Sequence, residues 1–212
     1  RSLHAVNART GTGVWAYETP NAINGLPAVG EGIALIGGCD EQVHAVRLND
    51  GTAVISIPAG SYVAGSPAIR DGLAYVAHYA GEVLALDPAA GKVLWRFAEK
   101  DAPAFFASVA VTETRVLAAS RAGTVHCLSR NTGQEIWRFQ AQDEIDSSPV
   151  VAGDRILFGA RDGWLTMLRF GDGATVWSYL VGSPISAPVA VVDGWIVAVA
   201  TDGVVYAFGE AP

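Results

Sequence analysis

The chain has 212 residues, half of them hydrophobic and only 17% charged, with 24 glycines, 14 basic against 21 acidic residues and a formal charge of −7. That balance repels a phosphate backbone, which sets nucleic acid aside as a partner; no run of about 18 apolar residues is free of Gly, Pro or charge, which excludes a membrane-spanning helix. Two cysteines 88 positions apart, Cys39 and Cys127, frame neither a disulfide-dense domain nor a metal site, and both read as small buried hydrophobes.

Taken in chain order, the sequence opens at Arg1 with neither a basic leader nor an apolar signal core through Val6, as expected of a processed or excised piece. A short apolar strand then recurs: Leu3-His4-Ala5-Val6, Val43-His44-Ala45-Val46, Val83-Leu84-Ala85-Leu86, Val125-His126-Cys127-Leu128, Leu165-Thr166-Met167-Leu168 and Val205-Tyr206-Ala207-Phe208. The starts are spaced by 40, 40, 42, 40 and 40 residues. In phase with it a Gly precedes a Trp by four positions, at Gly11 and Trp15, Gly91 and Trp95, Gly133 and Trp137, and Gly173 and Trp177. After Gly51 the Trp place is taken by Ile55, which predicts a less well anchored unit. A third landmark opens a strand at Leu26-Pro27, Ser66-Pro67, Ser148-Pro149 and Ala187-Pro188, with Ser108-Val109 as the variant; Pro is tolerated where a strand need not donate to the ladder.

The clearest unit predicts strands over Ser148 to Ala152, Ile156 to Ala160, Leu165 to Arg169 and Thr175 to Leu180, separated by turns rich in Gly and Asp. Four antiparallel strands per forty residues make an all-β propeller blade, and the whole chain, 1–212, reads as one propeller domain of about five blades. Two closures fit the strand count. Val14 to Glu18 completes the last blade in a small five-bladed ring, the preferred arrangement although it leaves Leu3 to Val6 as a redundant strand, or the chain is an arc of a larger ring.

The pattern resembles the pyrroloquinoline-quinone-type (PQQ-like) propeller repeat with its tryptophan-docking motif. The match runs Ala5, Asn7, Thr10, Gly11, Trp15 and Ala85, Asp87, Ala90, Gly91, Trp95. It frays to Cys127, Ser129, Thr132, Gly133, Trp137 and then Met167, Arg169, Asp172, Gly173, Trp177. The resemblance implies that each indole packs on the Gly turn of the next blade, a structural role for Trp15, Trp95, Trp137 and Trp177. It also implies a bacterial, extracytoplasmic, periplasmic setting. Family members include quinoprotein dehydrogenases, an outer-membrane assembly lipoprotein and sensor domains of kinases, so the fold alone does not select a function.

An active quinoprotein would need calcium ligands, a catalytic Asp and often adjacent cysteines. The adjacent pair is absent, and Asp40-Glu41 and Asp143-Glu144 read as solvated turn charges. His4, His44 and His126 share one repeat position, but equivalent strands of different blades stand about 10 Å apart, too far to share a metal ion; His78 is lone. No catalytic site, metal or cofactor is therefore expected, PQQ and calcium entering only if the chain is a dehydrogenase fragment. The reading is a non-enzymatic scaffold for a protein partner, with the sensor domain as a third possibility and self-association expected if the ring is incomplete. The loops joining one blade to the next supply the candidate contact residues Asn24, Tyr62, Phe105, Phe106, Asp146 and Ser186. The loop from Ala98 to Phe106 carries the two extra residues of the 42-residue repeat.

Overall fold

The computed structural model describes residues 1–98 and 104–209. Part of the long loop after Ala98, including Pro103, and the end of the expected 1–212 domain lie outside the described residues.

The strands follow the repeat. A hairpin of β1 (Ser2–Val6) and β2 (Gly13–Glu18) comes first. Blade one is β3 (Ala28–Gly30), β4 (Ile33–Gly37), β5 (Gln42–Arg47) and β6 (Ala53–Pro58), and blade two is β7 (Ala68–Arg70), β8 (Leu73–Ala77), β9 (Glu82–Asp87) and β10 (Lys92–Ala98). Blade three is β11 (Ala110–Val111), β12 (Arg115–Ala119), β13 (Thr124–Ser129) and β14 (Glu135–Gln140), and blade four is β15 (Val150–Ala152), β16 (Arg155–Gly159), β17 (Trp164–Arg169) and β18 (Thr175–Leu180). Blade five is β19 (Ala190–Val192), β20 (Trp195–Val199) and β21 (Val205–Phe208). Every pairing is antiparallel and sequential. Among the described residues β2 pairs only with β1 and β21 only with β20, so the ladder required by a five-bladed closure is not formed.

The middle strands β4, β8, β12 and β16 bury four consecutive residues each, because both of their faces meet a neighbouring blade. The outer strands alternate instead, as β10 does over Lys92–Ala98, because only one face is covered. The apolar clusters lie between blades. Leu35, Val43 and Ile57 pack on Ala74, Val76 and Leu84, and Leu117, Val125 and Ile145 pack on Ile156, Phe158 and Leu168.

Each ladder between third and fourth strands carries a register shift just before the turn, for example between Cys127 and Leu128, and the extra residue re-aims the aromatic that follows. Trp15 donates its indole N–H to the Leu48 carbonyl at 2.9 Å, Trp95 to Arg130 at 2.9 Å and Trp137 to Phe170 at 3.2 Å. The same rings lie on Gly51, Gly133 and Gly173. At Gly133, with φ +70°, an added Cβ would stand 2.6 Å from Trp95 Cε3, so the position admits no side chain. Ile55 meets Gly91 in the same way, with its side chain alone. At the ends of the arc, Gly11 has open space around it, and Trp177 meets Phe208 edge to face at 5.1 Å.

Near the inner strands a second set of contacts runs from blade to blade. The Ser66 hydroxyl accepts from Leu26 N at 2.8 Å, Ser108 from Ser66 N at 2.9 Å and Ser148 from Ser108 N at 2.9 Å. This explains why the fourth blade's first strand starts at Val150 and not at the expected Ser148: Ser148 and Pro149 turn toward the neighbouring blade before the ladder begins.

Candidate interaction surface

The loop that leaves one blade and the hairpin between the second and third strands of the next lie at the same end of the fold. Backbone bonds tie them together, from Tyr79 N to Tyr62 O, Arg121 N to Ala104 O, Arg161 N to Glu144 O and Thr201 N to Pro184 O. This repeated bond brings sequence-distant side chains onto one rim.

Along that rim the side chains form a continuous series over blades two, three and four. Tyr62 and Tyr79, 47% and 52% exposed, have ring centroids 6.5 Å apart. Tyr79 meets Phe106 edge-on at 5.5 Å. The Arg121 guanidinium carbon lies 3.6 Å above the Phe106 centroid, where the ring quadrupole attracts a cation. Arg121 also holds Asp146 with both arms of its fork, Nε to Oδ1 at 2.7 Å and Nη2 to Oδ2 at 3.0 Å. That hydrogen-bonded carboxylate pushes the Arg121 pKa further up. Glu144 stands 3.6 Å from Arg121 Nε and accepts from Arg161 Nη1 at 2.6 Å.

Of the sequence-derived contact residues, Tyr62, Phe106 and Asp146 are thus brought together. Phe105 is corrected: it is fully buried, packed among Val83, Val116 and Leu128, and reaches no partner. The chain alternates at this loop, so Phe105 plugs the core as Val63, Ile145 and Ile185 do in their blades, while Phe106 turns outward. Asn24 and Ser186 are exposed toward the two ends of the arc and join none of these contacts; Asn24 instead donates to Cys39 Sγ at 2.9 Å, leaving Cys39 half-buried and not fully buried as expected. Sequence reasoning missed Tyr79, Arg121 and Arg161. Their signal is the shared place two residues after the second strand, visible once the repeats are aligned on their turns.

The acidic turns also differ from expectation. Asp40 is not solvated: its Oδ2 bonds the Nε2 of buried His44 at 2.8 Å, and its side chain is 7% exposed. His78, in the turn after β8, bonds Glu82 of β9 at 3.0 Å, and His126 of β13 bonds Glu135 of β14 at 2.7 Å. Among the described residues no three His, Cys, Asp or Glu side chains gather as a metal site would require. No helix of the described residues is long and apolar enough to cross a membrane. Cys127 is a free thiol whose pKa burial pushes up to about 11.

The sequence matches the family described as outer membrane protein assembly factor BamB over residues 1–111 and again over 80–210. No curated protein matches. Among solved structures, the chain is similar to BamB from Moraxella catarrhalis, with a TM-score of 0.82 at 21% identity over 94% of this chain and 65% of that one. It is also similar to the computationally designed Ika8 protein, with a TM-score of 0.79 at 19% identity over 87% of this chain and 57% of that one. The chain thus spans less than two thirds of either structure.

Proposed function

The chain belongs to the outer membrane protein assembly factor BamB family, and from that premise we propose that it is a non-enzymatic, extracytoplasmic scaffold whose rim holds a protein partner in outer membrane protein assembly. The observation that carries this reading is the unbroken series Tyr62, Tyr79, Phe106, Arg121, Asp146, Glu144 and Arg161. Aromatics and arginine are the side chains that dominate binding energy at protein interfaces, and these are pre-oriented by their neighbours, so little ordering entropy is lost on docking. Trp15, Trp95 and Trp137 on Gly51, Gly133 and Gly173 serve this role indirectly by fixing the angle between blades. The family's description as an outer membrane assembly factor supports an address outside the cytoplasm, and no cofactor is required for such a role.

A photocrosslinking residue placed at Phe106 in cells carrying the parent protein is expected to capture one discrete protein, and Arg121→Glu to abolish that capture. The same label at Val14, which is exposed on the outer strand β2 away from the rim, serves as the control. Equal capture from both positions refutes the assignment of the rim. Reduction of an artificial electron acceptor by the chain loaded with quinone and calcium refutes the non-enzymatic reading.

A further inference from the structure

Between blades three and four lies a groove of about 220 Å³, lined by Phe139, Gln142, Asp162, Trp164, Thr166 and Ser178 among others. Its origin is legible by comparison with the boundary between β2 and blade one. There, His44 fills the equivalent space: Nε2 bonds Asp40 Oδ2 at 2.8 Å, Nδ1 bonds Ser56 Oγ at 2.8 Å and the Tyr17 hydroxyl at 3.1 Å, and the Tyr17 ring of the preceding hairpin tilts against the imidazole at 5.8 Å. Four residues before the third-strand position stands Asp40 in blade one and Asp162 in blade four, and cross-strand from it stands Ser56 in one and Ser178 in the other. Phe139 occupies the register of Tyr17. Blade four therefore retains the carboxylate, the serine hydroxyl and the aromatic wall, loses the Tyr17 hydroxyl to Phe139, and has Thr166 where blade one has His44.

Asp162 uses Oδ1 to accept from Trp164 N at 3.1 Å, as Asp40 uses Oδ1 for Gln42 N, and its Oδ2, which in Asp40 serves the imidazole, has no partner among the described residues. Thr166 is 7% exposed, and its hydroxyl likewise has no partner there. In blade two, where Leu84 takes the histidine position, the pair is not kept: Ala80 and Arg96 stand in the places of the Asp and the Ser. At the boundary of blades two and three, His126 again has an aromatic, Phe97, at 5.0 Å, but Ala122 and Arg138 stand where blade one has Asp40 and Ser56, and the imidazole bonds Glu135 at 2.7 Å instead. Phe139 has no such imidazole partner and meets Phe158 of the next blade instead.

We propose that this groove is a binding site for an imidazole ring, supplied by a histidine side chain of a peptide segment. Its N–H donates to Asp162 Oδ2, its second nitrogen meets the Ser178 hydroxyl, and its face lies on Phe139 with Trp164 at the mouth. No lysine or arginine lines the groove, so an anionic ligand finds no counter-charge. The proposal rests on the scaffold reading only in choosing a peptide as the carrier of the ring.

The test uses the chain purified without imidazole and titrated with imidazole, followed by two-dimensional NMR. Saturable one-to-one binding is expected, with a dissociation constant on the order of 1–10 mM for so small a ligand. Thr166→His, which restores the residue of blade one, is expected to keep the fold and abolish saturation. Asp162→Asn, which keeps an acceptor oxygen but removes its charge, is expected to weaken binding roughly three- to tenfold. A blocked pentapeptide with one central histidine should bind more tightly than imidazole, and its alanine counterpart should not bind. Absence of saturation in the parent chain, or undiminished binding by a folded Thr166→His variant, overturns the site; a histidine peptide no tighter than imidazole overturns the peptide as source. Phe106→Ala should leave imidazole binding unchanged, which keeps a failure here distinct from a failure of the rim.

Discussion

Two glycine substitutions of equal backbone cost separate the contribution of the blade-to-blade contact from that of the turn. Gly133 and Gly153 both have positive φ, +70° and +60°, so Gly→Ala at either position incurs about 1–2 kcal/mol of left-handed strain. At Gly153 nothing lies within 4 Å of the added methyl, and the cost ends there. At Gly133 the methyl would stand 2.6 Å from Trp95 Cε3, roughly 1 Å inside ordinary contact, and the ring must move. Movement breaks the 2.9 Å bond from the indole to the Arg130 carbonyl, about 1 kcal/mol, and gives up part of the ring's packing, about another 1 kcal/mol. Gly133→Ala is therefore expected to destabilise by about 3–4 kcal/mol, some 2 kcal/mol more than Gly153→Ala. Urea denaturation followed by far-ultraviolet circular dichroism gives both values. Destabilisations equal within about 0.5 kcal/mol, the ordinary scatter of surface substitutions, would show that the indole contributes nothing across the boundary.

Ile55→Trp should raise stability by about 1 kcal/mol, because the new indole meets Gly91 and gains a backbone carbonyl to bond, as its three counterparts do; a lower urea midpoint would refute this. Burial, the largest influence on His78, lowers its pKa below the ordinary 6.5, outweighing the pull of Glu82. The unfolded chain then takes up a proton first as pH falls, so this histidine's contribution is complete above 6.5 and is lost progressively below it. A His78→Asn variant should show a flatter decline of stability between neutral and mildly acidic pH, measured by thermal melts. Cys127, with its thiol pushed up to about 11, should resist iodoacetamide at mildly alkaline pH until the chain unfolds, whereas half-buried Cys39 reacts in the folded state. Mass spectrometry showing two alkylated sites in the folded chain would contradict that order.

The architecture was legible because its signal is periodic: Gly91 with Trp95, or Gly133 with Trp137, repeats a turn whose φ is demanded by geometry and not by neighbours. The rim was legible only in part. Phe105 and Phe106 are chemically alike and adjacent, and which one points inward depends on how the loop enters the next blade. Arg121 carried no signal in a single repeat, and the bond from its N–H to the Ala104 carbonyl places it above Phe106. Asp40 misled for the opposite reason, since a turn carboxylate reads as solvated unless the imidazole that covers it, four residues on, is known to be buried. Closure was not legible at all, because strand counting is the same for a small ring and for an arc.

Trp15, Trp95 and Trp137 each belong to one sheet and report on the next. Chains in which every unit touches only its neighbours unfold as a row of coupled segments, and average probes blur that behaviour. Fluorinated tryptophan would turn these three rings into separate gauges, one resonance per boundary, and the junction guarded by Ile55 would be the silent one. The order in which the signals collapse on heating would then trace the path by which the row comes apart.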